Sequence, residues 1–172
     1  MHNFIDATER AIDDQIWIAG LTTALSMPDI CASLASENGK TNGQKYANWW
    51  DKYVGSAYRS QIGAKKIEHV FMSGDDCYAL RCAYLHNGSE DLSKQKVNQT
   101  LNRFIFVEPP TNGSFFHLNQ FDSQLQVQVD VFCRDIVAGV SEWLEDVAGD
   151  DRIQQEMAKL SVIRTSKDVF GI

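Results

Sequence analysis

Apolar residues recur at close to helical spacing along most of the chain. Phe4, Ile5, Ile12, Ile16, Ala19 and Leu21 fall at intervals near 3.6, which predicts a helix over residues 4–26 with Gly20 as its weak point. Pro28 suits the first turn of a second, shorter helix through Ile30, Cys31 and Leu34, with Ser26 as its cap. The run Glu37–Gly43 has the composition of a loop. A third helix is expected from Gln44 to Tyr58, where Tyr46, Trp49, Trp50 and Tyr53 make an aromatic face. Residues 59–72 do not distinguish helix from strand.

The next unit is marked at both ends. Ser73 offers a hydroxyl cap, and Asp75 and Asp76 place carboxylates in the first turn, where the helix dipole favours them. Cys77, Leu80, Ala83 and Tyr84 give an apolar face, and Gly88 suits the left-handed residue past the last turn. The predicted helix runs from Gly74 to His86. A period of two then takes over. Arg103–Val107 and Ser114–Leu118 read as a hairpin around the turn Pro109–Gly113, with Ser123–Val127 as a third strand. From Val129 the helical period returns, with Phe132, Ile136, Val140, Trp143, Leu144 and Val147 on one face as far as Gly149. A last amphipathic helix is expected over 150–160, and residues 165–172 read as a tail. The expected fold is mainly α: one domain over residues 1–164, five or six helices, and a small antiparallel β-hairpin or meander inserted near 102–127.

At 172 residues, 44% hydrophobic and 23% charged, the chain can bury a core without staples, and disordered or fibrous classes are excluded. Sixteen Lys and Arg against 23 Asp and Glu leave a net charge of −7, so nucleic acid cannot be held by broad phosphate neutralisation. The longest basic cluster is Lys65-Lys66, and Lys94 and Lys96 sit among polar neighbours. Residues 1–15 carry Asp6, Glu9, Asp13 and Asp14 with no apolar core, unlike an export signal. The apolar stretch Ile16–Met27, ending at Pro28-Asp29, is too short to span a bilayer. A soluble cytoplasmic domain with reduced, buried cysteines is the expectation, with no membrane partner.

One spacing suggests chemistry. Arg81 and His86 lie at the end of the capped helix, about 140° apart in rotation and about 7.5 Å apart along the axis. A guanidinium can hold a phosphate bidentately, and an imidazole can move a proton near neutral pH. The structural alternative has Arg81 paired with Asp75, Asp76, Asp130 or Asp135, and His86 acting as a partner of the helix dipole. Other constellations are weaker. Cys82 and His86 share a helix face, but Cys31, Cys77, Cys133, His69 and His117 are not spaced to complete a zinc site, so no metal is expected. No phosphate-binding glycine motif is present, no local motif supports a cysteine nucleophile, and no cofactor is expected. The Tyr46–Tyr53 stripe and the Arg134-Asp135 pair read as core and structural charge. His117 with Asn119-Gln120 reads either as cleft lining or as a strand end.

Arg81-Cys82-Ala83-Tyr84-Leu85-His86 resembles the Arg-x4-His motif of the HEPN superfamily, small α-helical domains that include metal-independent ribonucleases. The longer string from Asp76 to Gly88 is also similar to uncharacterised bacterial proteins. The resemblance implies an endoribonuclease of a defence or toxin system, acting on RNA rather than DNA, whose two subunits bring their motifs together in a homodimer. It implies Arg81 as the phosphate contact and His86 as the acid–base group. The alternative is a non-catalytic helical module for dimerisation or partner binding.

Overall fold

The chain first turns at Asp14–Ile16, where Gln15 takes a φ of 57°. That turn separates helix α1 (His2–Asp13) from α2 (Trp17–Ala35) in a computed structural model describing residues 1–92 and 101–171. Lys94 and Lys96 lie outside the described residues. Gly20 therefore lies inside a helix, not at its end. A Cβ there would stand 3.6 Å from Ala11 Cβ, so Gly20 marks the close approach of α1 to α2. Pro28 also lies within α2, buried, and starts no new helix. Ser26 caps nothing; its hydroxyl donates to Thr23 O at 2.7 Å. The apolar positions of α2 face several sides, because the helix packs against α1, α3, α4, α5 and α6. By continuing through Pro28 it reaches 19 residues, long and apolar enough to cross a membrane by length and composition, with half of that stretch buried inside the fold.

Helix α3 (Gly43–Tyr53) is capped by the Asn42 side chain, and a 3-10 turn at Gly55–Tyr58 follows. The undecided stretch 59–72 is a hairpin of β1 (Arg59–Ile62) and β2 (Ile67–Val70), with Lys65 and Lys66 in its exposed turn. Helix α4 (Gly74–Asn87) begins and ends on the residues that signalled it. Ser73 Oγ accepts from Asp76 N, and the Asp76 carboxylate accepts from Ser73 N and Oγ at 3.1 and 2.6 Å. Asp76 is fully buried and also accepts from Leu101 N at 3.2 Å, tying the start of α4 to the chain that enters the sheet. Gly88, with φ 61°, closes the other end through Gly88 N to Tyr84 O and Ser89 N to Ala83 O.

The expected hairpin does not form. Strand β3 (Arg103–Val107) pairs in parallel with β5 (Gln124–Gln128), and the short β4 (Asn119–Phe121) pairs antiparallel with the other edge of β5. Residues 114–118 join no strand. Burying Phe104, Leu125 and Val127 completely puts β5 at the centre, and the turn at 109–113 serves a crossover instead of a hairpin. Helix α5 (Val129–Asp146) follows at once, then α6 (Asp151–Met157) and a five-residue α7 (Ser166–Phe170) within the expected tail. Seven α-helices are thus present among the described residues, one more than the upper expectation, and the fold is mainly α. The core runs through Tyr46, Trp50, Tyr58, Phe104, Phe132 and Trp143, all essentially inaccessible. Arg152 of α6 reaches the carbonyls of Leu34 and Ala35 at 3.1 Å each and closes the C-terminal end of α2.

Candidate functional site

Helices α2 and α4 run antiparallel: Asp29 meets Arg81, while Thr22 and Gly88 line one cleft further along. Arg81 uses two groups. Its Nε lies 2.6 Å from Asp29 Oδ2, with 22% and 14% of the two side chains exposed. Its Nη1 lies 3.1 Å from His86 Nε2. Although the two residues are five positions apart, α-helical side chains lean toward the N-terminus, which carries the His86 ring back toward Arg81. The helix does not fray to allow it, since α4 continues to Asn87.

Guanidinium nitrogens only donate, so His86 Nε2 accepts, and the imidazole in this contact is neutral with its proton on Nδ1. Burial pushes the Asp29 carboxyl up, against the pull of the Arg81 charge. Burial works against the Arg81 cation too, but the Asp29 carboxylate and Cys82 outweigh it and the guanidinium is held above its ordinary value. The two directions pull apart, yet a carboxylate 2.6 Å from a permanent cation is ionised at neutral pH. His86 is exposed, and the Tyr78 ring is tilted against Tyr46 with centroids 5.5 Å apart. The arrangement is a partly neutralised guanidinium bonded to an exposed imidazole.

None of the acids expected to hold Arg81 does so. Asp76 serves the cap, and Asp135 accepts from Tyr58 Oη at 3.0 Å. The partner, Asp29, lies 52 positions away in sequence on a helix expected to begin at Pro28, and no local pattern could mark it. His117 is packed edge-on to Tyr58 and accepts from Gln128 N at 3.3 Å through Nδ1; burial pulls its pKa down. Gln120 bonds His69 at 2.8 Å and Asn119 donates to Gln126 at 3.1 Å, so this polar cluster cross-links β2, β4 and β5. Tyr46, Trp49 and Trp50 are buried, and Arg134 pairs with Asp13 at 3.0 Å on the surface.

Cys31, Cys77 and Cys133 are buried, and burial pushes their thiols up, that of Cys133 to about 12, which leaves them poor nucleophiles. Among the described residues no three His, Cys, Asp or Glu side chains come together to hold a metal ion. A cleft of about 850 Å³ opens beside the C-terminal end of α4, lined by Tyr84 and Gly88 but not by Arg81 or His86. No family model matches the chain, and neither a curated protein nor a solved structure matches it.

Proposed function

We propose that the chain is a HEPN-like, metal-independent endoribonuclease that acts as a homodimer, with Arg81 and His86 as its working pair. The observation that carries this reading is the 3.1 Å contact between Arg81 Nη1 and Nε2 of exposed His86. In the resting site an arginine N–H occupies the lone pair a general base needs. A phosphodiester bound by the guanidinium draws that N–H onto a phosphate oxygen and frees Nε2. Nε2 then takes the proton of the adjacent ribose 2′-hydroxyl, O2′ bonds to phosphorus, and the bond to the 5′-oxygen breaks. The leaving oxygen is protonated by water or by His86 of the partner subunit, giving a 2′,3′-cyclic phosphate and a 5′-hydroxyl. Asp29 holds the guanidinium through Nε, leaving the Nη side to meet the phosphate. With a net charge of −7, binding depends on this local contact rather than on a basic surface.

A second reading, a non-catalytic dimerisation or partner-binding module, is favoured by the same ion pair, because Asp29 already neutralises Arg81. The two readings separate in a cleavage assay on single-stranded and structured RNA in EDTA. Wild type should cleave RNA and not the matching DNA. Removing the base should cost about 10²–10⁴-fold in His86→Ala, with a loss of similar size in Arg81→Ala. A folded, dimeric wild type that leaves every RNA intact refutes the nuclease and leaves the binding module.

A further inference from the structure

Among the described residues two surfaces are uncovered, and their chemistry is complementary. One is the chain beyond α6. Val162, Ile163, Val169 and Phe170 are exposed, Ile163 at 97% and Phe170 at 72%. Helix α7 is closed at both ends: Thr165 and Asp168 form a capping box, and Gly171 takes a φ of 71°. A five-residue helix is not stable alone in water, and none of its residues is buried. Arg164 and Lys167 add positive charge, and among the described residues neither makes an ion pair.

The other surface is the cleft of about 850 Å³ between the N-terminal half of α2, the end of α4 and β3. Trp17, Leu21 and Phe106 give it an apolar lining, and Glu90 and Glu108 outnumber Arg103 at its edge among the described residues. An apolar groove with an acidic edge suits an apolar segment carrying cations.

We propose that residues 161–171 of one copy dock into this cleft of a second copy, and the second copy returns the contact. Ile163, Val169 and Phe170 cover the apolar lining, while Arg164 and Lys167 face Glu90 and Glu108. The arm leaves from α6, which is held at the C-terminal end of α2 by Arg152, whereas the cleft lies at the opposite end of that 19-residue helix. A helix of that length is about 28 Å long. The extended stretch and short helix of the arm together reach about 25 Å. In the structure the arm's apolar residues lie exposed and not in the chain's own cleft, which leaves them for a neighbouring molecule, and mutual exchange closes a two-fold dimer. The interface stands whether or not Arg81 and His86 cleave RNA, because its test reads association alone.

The test is sedimentation of the full chain over a range of concentrations, with thermal unfolding to confirm that each variant folds. Wild type should dimerise. An arm reversal, Arg164→Glu with Lys167→Glu, should weaken the dimer about tenfold or more, as should a cleft reversal, Glu90→Lys with Glu108→Lys. Because Glu90 Oε1 also accepts from Phe106 N, Glu108→Lys alone serves if the cleft pair unfolds the chain. Mixing the arm-reversed and cleft-reversed chains should restore dimers, since every arm then meets a cleft of opposite charge. A wild type that stays monomeric, a dimer indifferent to both reversals, or a mixture that fails to recover overturns the proposal.

Discussion

Gly74 is the first helical residue of α4, and the carbonyl of Ala47 on α3 sits where its side chain would be. A Cβ there would lie 2.3 Å from Ala47 O and 2.7 Å from Ala47 C and Cα. The obstacle is backbone, so no rotamer change relieves it. Restoring an ordinary contact moves α4 from α3 by about 1 Å, since packed interiors leave no slack to absorb it. The same shift strains the bond from Gly74 N to Asp51 Oδ1 at 3.1 Å and the contact between Tyr46 Oη and Cys77 Sγ at 3.6 Å. Overpacking of this kind costs about 3 kcal/mol. For a chain of this size that corresponds to a melting temperature about 6–12 °C lower. The matched control is Gly149→Ala, where nothing lies within 4 Å of the added carbon, and the melting temperature should move by no more than about 2 °C. Calorimetry of both variants beside wild type decides the matter. If Gly74→Ala melts within about 2 °C of wild type, the close seating of α4 on α3 is refuted. Because α4 carries Arg81 and His86 while Asp29 stays on α2, the same variant should also lose activity in the RNA assay.

Asp76→Ala removes the acceptor of Ser73 N, Ser73 Oγ and Leu101 N from a fully buried position, and urea unfolding should show a loss of about 3 kcal/mol. A loss below about 1 kcal/mol would mean the carboxylate is not what joins α4 to the sheet. Burial pushes the Asp135 carboxyl up from its ordinary 3.8, against the hydrogen bond from Tyr58. Folded chains thus hold this proton to higher pH than unfolded ones; the stabilisation is full below 3.8 and is lost as pH rises through the raised value. Asp135→Asn removes the titration and keeps an acceptor for Tyr58, so it should gain on wild type as the pH rises from about 3 to 7. A stability difference that stays constant with pH contradicts that assignment.

Short-range signals were read correctly where the physics is itself short-range. Ser73, Asp76 and Gly88 mark both ends of α4 because a cap is a bond between residues three to six positions apart. The switch to helical period at Val129 gives the start of α5 for the same reason. Pro28 misled because its missing donor and fixed φ favour a helix start, yet a helix packed on several sides, as α2 is, tolerates the loss of one bond. The β-rich residues of 103–107 announced a strand but not its partner. Pairing with β5 in parallel follows from burying Phe104, Leu125 and Val127 together, which no turn motif records.

The candidate site divides along the same line. Sequence alone nominated Arg81 and His86 and marked both ends of the capped helix that carries them. The tertiary structure decided that the His86 ring meets Arg81 Nη1, that Asp29 rather than Asp75, Asp76, Asp130 or Asp135 holds the guanidinium, and that His117 and Gln120 serve as cross-links. Caps and periodicity are properties of neighbouring residues. The partner of a half-buried charge depends on which helix faces it, and the packing of the whole chain sets that.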